Sequence, residues 1–162
     1  MLPSVRDATS ADAGEIARVA RASWTDTYRD IFEPDFIERF LDENYATQAL
    51  ATAAERAADD ADGHFLVAER DAVIVAFAQY GEGRRGPQLF RIYADPAHYG
   101  TGAGYALLTE LHRRLAGRVG AYVLDVHSRN ERGRAFYERN GFVVVGGGDT
   151  PDCDLTLRRT LD

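Results

Sequence analysis

Apolar residues in the first sixty positions recur at helical spacing, whereas later segments mostly alternate. "PSVRDA" (Pro3–Ala8) alternates and predicts a short strand. Ser10 is then placed to cap a helix over "ADAGEIARVARASW", in which Ile16, Val19 and Ala20 share one face. "DTYRDIFEPD" breaks that rhythm. Pro34 predicts the start of a second helix carrying Phe36, Ile37, Phe40 and Leu41, and an alanine-rich third runs from Thr47 to Ala58.

The period then shortens. "HFLVAER" and "AVIVAFAQY" read as a hairpin around a tight turn at Asp71, "GEGRRGP" as a loop, and "QLFRIYAD" as a third strand. Leu107, Leu111 and Leu115, with Leu108 beside them, mark a strong amphipathic helix ended by Gly117 or Gly120. "AYVLDVHS" is a strand, "RNERGRAFYERNG" a helix closed at Asn140-Gly141, and "FVVVGGG" and "CDLTLRRTL" are two final strands. The order βαα(α)βββαβαββ predicts an α/β fold in a single domain, 1–162. About seven strands form a mixed sheet flanked by helices, parallel around the two later helices and antiparallel at the hairpins.

Composition narrows the function classes. A chain of 162 residues can bury a core without metals or disulfides. The single cysteine, Cys153, excludes an internal disulfide and a cysteine-based metal cage, and reads as a half-buried strand thiol; no metal is expected. A net charge of -7 disfavours a nucleic-acid surface, despite local clusters at Arg84, Arg85 and Arg91 and at Arg129, Arg132 and Arg134. No apolar run reaches the roughly 18 residues of a membrane span, and the N-terminus lacks the basic-then-apolar order of a signal peptide. A cytoplasmic protein without a membrane partner is the expectation. All 19 basic residues are arginines, so no lysine is available for modification.

The densest chemical signal is "YADPAHYGTGAGYALL", where Gly100, Gly102 and Gly104 alternate between a strand and a helix. A Walker loop would need a terminal Gly-Lys-Ser/Thr, which is missing. A dinucleotide fingerprint would need G-x-G-x-x-G in a leading βαβ unit; here the spacing is G-x-G-x-G after hairpins, with Asp125 at a suitable distance. A third reading has a pyrophosphate held by backbone N–H groups and the positive end of the following helix, for which no lysine is required. A tight turn without a ligand remains a fourth.

Two longer segments bear on that choice. "LFRIYADPAHYGTGAGYALLTELHRRL" resembles the acyl-CoA-binding segment of the GNAT superfamily of N-acetyltransferases, in which a strand leads into Q/R-x-x-G-x-G/A and a helix. "LDVHSRNERGRAFYERNGFVVVG" is similar to the family's next motif, N-x-x-A-x-x-x-Y-x-x-x-G-F, through Asn130, Tyr137, Gly141 and Phe142. The two occur in family order and span Leu89 to Gly146. "SWTDTYRDIFEPDFIERFL" also resembles a subgroup with a W-x-x-x-Y pattern in its first helices. Two departures stand out: Tyr99 replaces the family's Gln or Arg, and Gly133 replaces its Ala, which loosens a helix by about 1 kcal/mol.

The resemblance implies acetyl-CoA as cofactor and an amine of a small molecule or peptide as acceptor, with direct transfer in a ternary complex and, commonly, a homodimer. The strand end at Ile92, Tyr93 and Ala94 would meet the pantetheine arm, with a backbone N–H there stabilising the oxyanion. His98, Tyr99, Gly100, Thr101, Gly102, Ala103, Gly104 and Tyr105 would surround the diphosphate. Asn130 would reach the CoA arm while capping its helix. Tyr137 is the candidate acid for the leaving thiolate, although packing beside Phe136 and Phe142 also accounts for a tyrosine. The base stays open among Glu82, Gln79, His127 oriented by Asp125, and a water chain. Trp24 and Tyr28, followed by Phe32, are candidates for the acceptor wall or for ordinary core; Gln79 and Arg91 complete the candidate acceptor contacts. A non-catalytic acyl-CoA sensor and a dinucleotide-binding oxidoreductase are the competing functions.

Overall fold

The computed structural model describes residues 1–148 and 154–162; Cys153 lies outside the described residues. Its strands are β1 (Ser4–Asp7), β2 (His64–Arg70), β3 (Val73–Gly83), β4 (Gly86–Ala94), β5 (Ala121–His127), β6 (Val143–Gly147) and β7 (Asp154–Thr160). Its α-helices are α1 (Ala13–Tyr28), α2 (Pro34–Asn44), α3 (Thr47–Asp59), α4 (Ala103–Leu115) and α5 (Glu131–Arg139). Among the described residues no helix is long and apolar enough to cross a membrane.

The strands form one mixed sheet in the order β1-β2-β3-β4-β5-β7-β6. Alternation along β2 sorts its side chains between two cores. Phe65 and Val67 join Ile16, Val19, Leu41 and Leu50 under α1, α2 and α3, whereas Leu66 and Ala68 join Leu107, Leu108 and Leu111 under α4. Helices thus cover both faces, as a strand rich in apolar residues on both sides requires.

Three local expectations are corrected. Ser10 does not cap α1: it begins a short 3-10 turn closed by a capping box of Thr9 and Asp12. Asp12 accepts the Thr9 amide at 2.8 Å and two nitrogens of Arg6 at 2.8 and 3.0 Å, so a partly buried ion pair fixes the helix start. The "GEGRRGP" loop is mostly ladder, since β3 and β4 remain paired up to Gly83 and Gly86. Finally, among the described residues direct parallel pairing occurs only between β4 and β5; β7 inserts antiparallel between β5 and β6, which keep the same direction without touching as a ladder.

The parallel junction decides where a ligand can enter. β4 and β5 share one registered pair, Gln88 with Val123, and then diverge. Beyond it, the edge of β4 facing β5 lacks a strand partner, and its backbone polar groups open toward the gap.

Candidate active site

The gap between β4 and β5 is a cleft of about 510 Å³ that passes from one face of the sheet to the other. Ser23, Thr27 and Tyr28 of α1 line one mouth. Gly102 to Tyr105 at the head of α4, with Phe136 and Tyr137 of α5, line the other. Ile92, Tyr93 and Ala94 form its floor along the unpaired edge of β4. Ile92 and Ala94 pack toward α4 and α5, and the Tyr93 side chain packs toward α1 and α2.

The turn out of β4 is anchored before it reaches the glycines. The Asp95 carboxylate accepts the Ala97 amide at 3.0 Å and Arg18 Nη1 of α1 at 2.9 Å, and the Asp95 amide donates to Val75 at 2.8 Å. Gly100 and Gly102 have φ of 77° and 88°, left-handed conformations that favour glycine. Gly102 is the N-cap of α4, and the first helical bond runs from the Ala106 amide to the Gly102 carbonyl. The amides ahead of it are left to the cleft at the positive end of the helix dipole. Gly104 has a different reason for being glycine. A Cβ there would lie 2.8 Å from the Phe136 ring, so this position permits α5 to close on α4.

Most candidate cofactor residues converge here: Ile92, Tyr93, Ala94, His98, Tyr99, Gly100, Gly102, Ala103, Gly104, Tyr105, Asn130 and Tyr137 all line the cleft. Thr101 turns away and bonds the His98 carbonyl through Oγ1 at 2.6 Å. Asn130 caps α5 by accepting the Gly133 amide at 2.9 Å. Tyr137 is wedged between Phe136 and Phe142, with ring centroids 5.5 and 5.4 Å away, and burial pushes its phenol well above the ordinary value. Burial likewise raises Tyr28 and Tyr93.

The acceptor candidates separate. Tyr28 lines the cleft, whereas Trp24 lies behind it, buried against Tyr28 and Phe40 at centroid distances of 4.2 and 4.1 Å. Gln79 and Arg91 are engaged with each other at 2.8 Å, and Arg91 also bonds the Asn44 carbonyl and lies 4.7 Å over the Tyr45 ring. Neither lines the cleft. Tyr45 escaped the sequence reading, because nothing in "LDENYATQ" marks its packing on Phe77 and Tyr93. Ser23, Thr27 and Arg132 also line the cleft without having been singled out as its residues.

Of the candidate bases, Gln79 and His127 are engaged elsewhere and Glu82 lies away from the cleft. Asp125 accepts Arg85 at 2.7 Å and the Thr156 hydroxyl at 2.9 Å, leaving His127 without it. His127 Nδ1 accepts the Arg129 amide at 3.1 Å, so that nitrogen is already engaged by the backbone. Glu82 borders a separate depression with Arg84 and Arg85.

An open α/β sheet whose parallel strands splay beside a glycine-capped helix, with a buried phenol at the gap, fits the acyltransferase with a nucleotide-thioester donor that the resemblance implies. Comparison with known proteins agrees. The model of the Acetyltransferase (GNAT) family matches residues 24–142, and the chain belongs to that family. It is similar to the spermidine N(1)-acetyltransferase of Thermoplasma acidophilum, 28% identical over 98% of this chain and 97% of the relative. An uncharacterized N-acetyltransferase of Mycobacterium tuberculosis is 31% identical over 83% of this chain and 85% of its own. Among solved structures, an N-acetyltransferase from Thermoplasma acidophilum in complex with coenzyme A superposes with a TM-score of 0.90 at 27% identity, over 99% of each chain. The protein is an N-acetyltransferase that uses acetyl-CoA, and the open amides and left-handed glycines of the loop fit that cofactor's diphosphate.

Proposed function

We propose that the chain acetylates a small cationic amine of the polyamine kind by direct transfer within a ternary complex. The observation that carries this reading is the through-sheet cleft, which gives donor and acceptor opposite mouths and a common meeting point at Tyr93 and Tyr137. The spermidine specificity named for a relative that matches nearly the whole chain supports the acceptor class. So does Tyr28, an aromatic residue that lines the α1 mouth beside Ser23 and Thr27, where an alkylammonium would enter.

Acetyl-CoA, when bound, supplies the thioester carbon. The unpaired edge at Ile92–Ala94 then aims backbone N–H groups at the oxygen on which charge develops. Tyr137 holds a proton on Oη at neutral pH and delivers it to the departing sulfur. With Asp125, Gln79 and His127 engaged as described, the proton of the attacking amine leaves through water. The residues accordingly gain most of their rate from alignment.

The test is a panel of amines assayed with acetyl-CoA by release of free thiol, run on wild type and Tyr137→Phe. Wild type should turn over spermidine-like amines faster than amino acids or peptides. The variant should lose roughly 10²–10³-fold in kcat, within the range for a general acid, while its affinity for CoA stays within about twofold. A wild type that binds CoA but acetylates nothing in the panel would instead identify a sensor.

A further inference from the structure

The phosphate loop has a gap in its chemistry: Tyr99 stands where the resemblance leads one to expect a Gln or Arg donor. The fold places a cation at that position from another element. Arg132, in the first turn of α5, lays its guanidinium over the Tyr99 ring with Cζ 4.2 Å from the centroid. Both residues line the cleft, next to the left-handed Gly100 and Gly102. The side chain is otherwise loosely held, since among the described residues its one ion pair, Nη1 to Asp26 Oδ2, is long at 4.0 Å and exposed.

We propose that Arg132, seated on the Tyr99 ring, supplies the cationic contact to the diphosphate of acetyl-CoA that the loop itself lacks. Stacking uses the face of the guanidinium and leaves its edge N–H groups free for bonding. A planar fork of this kind suits two phosphate oxygens, and the open amides of α4 supply the remaining donors. Tyr99 is then a positioning residue: it contributes a platform where a direct donor is expected. The inference rests on the cofactor and is independent of the acceptor.

The experiment measures binding of acetyl-CoA, of its analogue lacking the ribose 3′-phosphate, and, through kcat/KM, the use of S-acetylpantetheine, which has no diphosphate. Arg132→Ala should weaken both nucleotide ligands about tenfold and leave S-acetylpantetheine unchanged, with the melting temperature of the free protein within about 1 °C of wild type. Tyr99→Leu should move the same way by a smaller factor. Tyr99→Gln placed in the Arg132→Ala background should recover part of the loss, because it restores a donor at the loop. Three results would overturn the proposal: nucleotide binding by Arg132→Ala within twofold of wild type, a loss that disappears with the ligand lacking the 3′-phosphate, or an equal loss with S-acetylpantetheine. None of these measurements needs a polyamine, so a wrong acceptor assignment would leave them interpretable.

Discussion

At the scale of single residues, Tyr137 and the two left-handed glycines carry the most chemistry. Burial is the main reason the Tyr137 phenol lies above its ordinary value, and the neighbouring phenols of Tyr28 and Tyr45 push in the same direction. An acid works only while protonated, so a raised pKa moves the loss of activity to higher pH. The kcat profile should therefore rise as the amine deprotonates and stay flat past pH 10, where an unperturbed phenol would already be half ionised. A descending limb centred between pH 8 and 9.5 would exclude Tyr137 as the acid. The place of Tyr137 in the cleft was legible because its spacing from Asn130 and Gly141 is a motif. The use of Tyr99 was not legible, since a ring that serves as a platform for a guanidinium 33 positions later leaves no local trace.

Elements were easier to read than the contacts between them. Every helix and strand predicted from the sequence pattern is present, most of them with an apolar stripe or face to bury, although β6 leaves Val143, Val144 and Val145 exposed. The insertion of β7 between β5 and β6 was not visible, since strand order depends on pairings far apart in the chain. The glycines show the same limit. Gly133, read as a loosened helix position, lies where an added Cβ would sit 2.6 Å from Asn130 Nδ2, so the cap occupies the space that alanine needs. Gly104 looks like part of the phosphate loop, yet the α4–α5 contact is what demands it. Gly104→Ala gains about 1 kcal/mol of helix propensity but loses about 1–3 kcal/mol to the Phe136 ring. Urea unfolding should show a net loss of up to about 2 kcal/mol and weaker CoA binding as α5 is pushed away. Gly14→Ala is the internal comparison: it meets open space in α1 and should be neutral to stabilising. Equal effects at the two sites would mean that propensity alone governs both.

For the whole molecule, the response to acid follows from where its titratable groups are held. His112 joins α4 to β5 through a 2.8 Å bond between Nε2 and the Tyr122 hydroxyl. Burial, helped by the positive charge of Arg159, lowers it to about 4. Between that value and the ordinary 6.5 the unfolded chain binds a proton that the folded chain refuses, so stability falls as pH drops through this window. His64, lowered by burial and by Arg114, adds to the same trend. The carboxylates act in a lower window. Arg113 and Arg114 hold Glu110 down to about 2, and Arg6 lowers Asp12, so their contribution persists above the ordinary carboxylate range and is lost only as pH falls below it. Acid unfolding should therefore show two stages. Because His112 is only half-buried, solvent screening reduces its part to on the order of 1–2 kcal/mol, lost between pH 6.5 and 4. His112→Gln keeps an acceptor for Tyr122 but cannot take up the proton. Its unfolding free energy should be nearly level across that first window, with only the His64 share remaining, and should then fall with wild type below pH 4. A variant whose stability declines as steeply as wild type from pH 6.5 would show that the acid response lies elsewhere than in the α4–β5 contact.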